Sequence, residues 1–111
     1  EAAEFVGKQA DGLIKMVNPK SLLPTQTRNE MTGNQIERLK KSMQSDGYDG
    51  RYPIDAWNVK GELYIKDGHH RTAASIKAGI KEIPARIERV TDSAKVSEIV
   101  SDWARTVSDK Y

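Results

Sequence analysis

The chain contains no cysteine and only two histidines. Without thiols it has no disulfide framework, no thiolate metal site and no cysteine nucleophile. It also lacks an excess of either charge: 18 basic and 16 acidic residues leave a net +2. That balance does not announce nucleic-acid binding, and only a local basic patch could supply it. No apolar run approaches the length of a bilayer span, and no signal-peptide pattern is present. There is no internal repeat and no low-complexity tract. With 111 residues, 37% hydrophobic and 31% charged, the composition suits one soluble domain. We expect a single unit over 1–111, with a core at 13–90 and a C-terminal helix at 91–111. The start at Glu1 rather than Met suggests a piece of a longer protein.

The chain reads as alternating strands and helices. Residues 2–10 weakly suggest a short helix. Residues 13–17 (LIKMV) read as a strand ended by Asn18-Pro19, and Leu22, Leu23 and Pro24 form an apolar corner. A polar connection, TQTRNEMTGN, follows. Ile36, Leu39 and Met43 recur at helical spacing over 33–46 and are expected in the core, with Thr32 and Gln35 at capping-box spacing. Residues 53–59 and 62–66 alternate as strands do, and Lys60-Gly61 between them predicts an antiparallel hairpin. A short helix is expected over 69–79, closed by Gly79. Residues 82–90 give a further strand, in which Pro84 suggests that the early part lies at an edge. Asp92 or Ser93 can cap a final helix whose apolar stripe is Val96, Ile99, Val100, Trp103 and Val107. The fold class expected is α+β, a small mixed sheet packed with helices.

Both histidines fall in one stretch, KDGHHRTAA, where a strand runs into a helix. Gly68 permits a tight turn. The first amides of the helix and its dipole favour an anion, phosphate above all. Arg71 can offer phosphate a bidentate fork. A histidine can exchange a proton near neutral pH. Asp67 can orient an imidazole, hold Mg²⁺ or act as a base. The plainer reading makes Asp67 a helix cap, the histidines surface residues and Arg71 a partner of Glu30 or Glu82. Five such groups in one turn favour a site. Gln26, Arg28, Asn29 and Glu30 make the polar connection a second candidate. Zinc is disfavoured, because adjacent side chains diverge on a helix and no cysteine or third histidine exists. Lys40, Lys41, Arg51 and Lys77 are more simply a solvated face than a backbone-contacting patch. Trp57 and Trp103 suit packing better than base stacking.

From residue 22 to residue 87 the chain resembles the ParB/sulfiredoxin superfamily. The segments that carry the likeness are SLLPTQTR, QIERLKKSM, GYDGRYPIDAW, ELYIKDGHHRTAASIKAG and IPARI. ParB proper has Glu-Arg-Arg after the glycine, where this chain has His69-His70-Arg71, and a further arginine where it has Ala73. The second nucleotide motif and the helix-turn-helix domain have no counterpart, so partitioning is not expected. Sulfiredoxin carries Gly-Cys-His-Arg; His69 replaces its catalytic cysteine, which excludes sulfinic acid reduction by that route. The DGHHR form is similar to ParB-like domains at the C-terminal ends of bacterial polymorphic toxins of the contact-dependent growth inhibition type. That likeness implies a secreted or surface-delivered nuclease acting in the cytoplasm of a target bacterium. It also implies a nucleic acid substrate and a cognate immunity protein, with the free chain monomeric. The resemblance then gives Asp67, His69, His70 and Glu30 to catalysis, and Gly68, Arg71, Thr72, Gln26 and Arg28 to phosphate, with Mg²⁺ at Asp67. The alternatives are an ATP- or CTP-dependent phosphotransferase or NTPase, as in the free serine kinases that use a similar turn, and a non-catalytic DNA-binding module.

Overall fold

The structure is a computed structural model that describes residues 13–26 and 32–109. The expected helix at 2–10 lies outside the described residues, as do Arg28, Asn29 and Glu30. Strand β1 (Leu13–Val17) is followed by a 3-10 turn (Pro19–Ser21) and helix α1 (Gly33–Asp46). Strands β2 (Ile54–Val59) and β3 (Glu62–Asp67) lead into helix α2 (His69–Lys77). Strand β4 (Ile83–Arg89) and helix α3 (Ser93–Asp109) complete the order. The four strands form one sheet in the order β1-β4-β2-β3. β1 and β4 are antiparallel, β4 and β2 parallel, and β2 and β3 antiparallel. The fold is therefore α+β with a mixed sheet, because α2 carries the chain across from the β2–β3 hairpin to a strand parallel to β2.

The hairpin turn forms as its residues dictate. Lys60 and Gly61 both take positive φ, 53° and 93°, the pair of angles a two-residue primed turn requires. Alternation then sorts the side chains onto two faces. Ile54, Ala56, Ile65, Ile83 and Ala85 join Leu22 in one core cluster. Trp57 and Tyr64, one residue out of step, belong to a second cluster with Val59, Val90 and Ile99, under α3. Trp103 meets Tyr64 edge-on at 6.3 Å, and the Lys95 ammonium lies 4.7 Å from the Trp57 ring centre. Both tryptophans are thus packing residues.

β4 lies inside the sheet between β1 and β2. Its first two residues, Ile83 and Pro84, pair with β1 alone, and pairing with β2 begins at Ala85. The early part of the strand is thus an edge on that side, as Pro84 suggests, and no ladder bond to β2 is lost there. Two other expectations are corrected. Thr32 is the N-cap of α1 but makes no side-chain cap bond, so no capping box forms; its hydroxyl instead points at the Gln35 side-chain oxygen at 3.5 Å. The apolar stripe of α3 is narrower than expected, with Ile99 buried and Val100 and Val107 exposed. The cap of that helix is Asp92, whose carboxylate accepts from the Lys95 amide at 2.9 Å.

Candidate functional site

The site grows from the junction of β3 and α2. Asp55 of β2 stands opposite Asp67 of β3, while its neighbour Ala56 stands opposite Ile65. Lys66 is thus an extra residue, and the bulge turns the strand end. Like charges face each other at this pair, and two arginines offset the repulsion. Arg86 bonds Asp55 at 3.1 Å, and Arg71 approaches Asp67 at 3.7 Å.

Gly68 then takes φ +110° as the N-cap of α2. Two constraints demand glycine here. The backbone angle is one that other residues rarely adopt. A Cβ would also fall 2.6 Å from Ile54 Cγ2, and Ile54 is fully buried. Thr72 secures the turn from inside. It is buried, and both its amide and its hydroxyl donate to the Gly68 carbonyl, at 2.8 and 2.9 Å. Thr72 therefore holds the turn together rather than presenting its hydroxyl to the cleft. The amides of His70 and Arg71 lie ahead of the helical ladder, where an anion can take them.

An open cavity of about 280 Å³ lies over this turn, lined by Gln26, Gln35, Leu39 and Asp67 through Arg71. Asp67 is exposed and His69 buried. His69 Nε2 accepts from the Thr25 amide at 3.0 Å, and His70 Nε2 accepts from the Thr32 amide at 3.1 Å. The side-chain oxygen of Gln26 is buried with no hydrogen-bond partner among the described residues. Among the described residues no group of three or more His, Asp or Glu is placed to hold a metal. The donor set fits Mg²⁺ only as an ion shared between Asp67, water and a bound phosphate.

The aromatic wall beside this cleft escapes sequence reasoning. A second cavity of about 210 Å³ shares Leu39 and Arg71 with the first and adds Met43, Tyr48, Asp49 and Tyr52. The Tyr52 carbonyl accepts from the Tyr48 hydroxyl at 2.6 Å and from Arg71 Nη1 at 3.1 Å. Arg71 is thus anchored by Tyr52 and Asp67, and not by Glu82. Burial pushes the Tyr48 hydroxyl pKa up, with the Arg71 charge opposing and the Asp49 charge adding. Bonds from the Arg51 guanidinium and amide hold the Asp49 carboxyl down at about 2. Arg51 is thereby committed to Asp49 rather than to a basic patch. The signal in the sequence was two tyrosines bracketing a DGR turn, a spacing that says nothing by itself about a distant arginine.

A mixed four-stranded sheet with a glycine turn opening onto a helix defines a domain of the ParB/sulfiredoxin type. The profile of the ParB N-terminal domain matches residues 4–101, and the chain belongs to that family. Solved structures agree on the fold. Sulfiredoxin from Arabidopsis thaliana is similar at 24% identity and a TM-score of 0.64, over 78% of this chain and 96% of that one. The C-terminally truncated chromosome-partitioning protein ParB from Caulobacter crescentus, complexed with CTP-gamma-S, is similar at 24% identity and a TM-score of 0.61. That match covers 85% of this chain and 54% of the other. A free serine kinase mutant in complex with AMP is similar at 28% identity and a TM-score of 0.57, over 73% of this chain and 32% of the kinase. No curated relative matches the chain. Among the described residues no helix is long and apolar enough to cross a membrane.

Proposed function

We propose that the DGHHR turn seats a phosphate group and that the chain cleaves phosphodiester bonds as the nuclease module of a bacterial polymorphic toxin. The observation that carries the phosphate seat is the cleft itself: helix-start amides, Arg71 and the exposed Asp67 line one cavity. Arg71 and the amides would hold the phosphate and stabilise charge building on its oxygens. Asp67 would orient water or share Mg²⁺ with the phosphate. The buried Gln26 oxygen is an acceptor inside an anion seat, which suits a donor carried by the substrate or by water. The toxin context, delivery into a target bacterium and a neutralising immunity protein rest on the sequence resemblance. Purified chain incubated with DNA and with RNA, with and without Mg²⁺, tests the reading. Cleavage abolished by Arg71→Ala and by Asp67→Asn is expected; no cleavage of either polymer refutes it.

A second reading is nucleotide-dependent phosphoryl transfer. The likeness to a free serine kinase mutant in complex with AMP favours it, and the same turn would bind the phosphates of ATP or CTP. Release of phosphate from either nucleotide, with both polymers left intact, would select it over the nuclease.

A further inference from the structure

We infer that His69 and His70 serve as hydrogen-bond acceptors at Nε2 that fix the two walls of the cleft, and that neither takes up the proton of the reaction there. An N–H aimed at a ring nitrogen requires a lone pair there. The Thr25 amide points at His69 Nε2 and the Thr32 amide at His70 Nε2. Both rings are therefore Nδ1–H tautomers, since the bond made by one nitrogen sets the state of the other. The Thr25 hydroxyl, 3.1 Å from His69 Nε2, does not change this, because it donates to the Ile65 carbonyl at 2.8 Å. A proton added at either Nε2 would set N–H against N–H.

The placement of the two threonines gives the bonds a purpose. Thr25 immediately precedes Gln26, one wall of the cleft. Thr32 is the N-cap of α1, whose first turn carries Gln35, the other wall. Thr32 makes no cap bond of its own, and its amide is satisfied by a residue of α2 instead. Two adjacent residues in the first turn of α2 thus hold both walls at a set distance from Arg71. His69 is buried where it does so. The two are positioning residues, and this role rests on the phosphate-seat reading only for its consequence in binding.

Two measurements test it. Long-range ¹⁵N–¹H correlation spectra of the imidazoles in the full chain are expected to show the Nδ1–H tautomer for both rings. An Nε2–H tautomer or a doubly protonated ring at neutral pH overturns the inference, whatever the chain binds. The second measurement uses affinity for inorganic pyrophosphate together with turnover of the substrate found above. Glutamine places its oxygen near the Nε2 position, whereas asparagine falls short. His70→Gln should retain pyrophosphate affinity and turnover within about threefold, and His70→Asn and His70→Ala should each lose about tenfold, as for one lost hydrogen bond. A His70→Gln variant that binds pyrophosphate but does not turn over assigns the proton to His70 and overturns the inference. Wild-type chain that binds no pyrophosphate refutes the phosphate seat instead, and leaves the tautomer result standing.

Discussion

Replacing Gly68 with alanine tests the geometry of the turn more sharply than any other substitution. The new methyl would meet Ile54 Cγ2 at 2.6 Å and Ile54 Cβ at 2.8 Å. Ile54 has no exposed surface and lies in the sheet cluster, so it cannot swing aside. Forcing a side chain onto φ +110° costs about 1–2 kcal/mol, and overpacking a closed core adds about 1–3 kcal/mol. The sum, about 2–5 kcal/mol, is a large share of the roughly 5–15 kcal/mol that holds a domain folded. Gly61 supplies the control. Its φ is +93°, yet nothing lies within 4 Å of a Cβ built there, so Gly61→Ala carries the backbone cost alone. In urea, where slopes are about 1–3 kcal/mol per molar, Gly68→Ala should lower the midpoint by about 2 M and Gly61→Ala by about 1 M. Equal shifts in the two variants would refute the claim that Ile54 closes the space beside the turn.

Three further outcomes follow from the same contacts. Thr72→Val removes the hydroxyl bond to the Gly68 carbonyl and should cost about 1 kcal/mol by urea denaturation; the amide bond to the same carbonyl remains, so a much larger loss would contradict this. Tyr48, identified by difference against Tyr48→Phe, should ionise above the ordinary tyrosine range, and Arg71→Ala should raise it further by removing the opposing charge. Its folded-state pKa is raised, so the unfolded chain gives up this proton first. The stability tied to it is therefore present below about pH 10 and is lost as the pH climbs beyond that. Asp92→Ala removes the carboxylate that caps α3 and should cost about 1 kcal/mol, whereas Asp92→Asn, which keeps an acceptor, should cost little.

The elements were legible where local chemistry decides them. The spacing of Ile36, Leu39 and Met43 marked α1, and the Lys60-Gly61 pair marked the hairpin, because both signals act over a few residues. The strand order was not legible, since nothing in IPARIER says that it lies between β1 and β2. Pro84 was legible only in part: its missing N–H marks the early part of β4 as open on one side, but the sequence does not show which neighbour is absent there. The site divides in the same way. Gly68, His70 and Arg71 were readable as one turn because they are neighbours in the chain. The bond from the Thr32 amide to His70 spans 38 positions, and it displaced the local capping box that the sequence favours. The Tyr52 carbonyl that anchors Arg71 is a backbone group, invisible to any motif.

The central claim is that the turn at 67–71 seats a phosphate. Following the backbone amide resonances of the full chain during a titration with inorganic pyrophosphate tests it most directly. The account predicts saturable shifts centred on Gly68, His70 and Arg71, which Arg71→Ala abolishes. Shifts centred elsewhere, such as at Lys60 and Arg89 around the cavity at the far end of the hairpin, or no saturable shift at all, would contradict it.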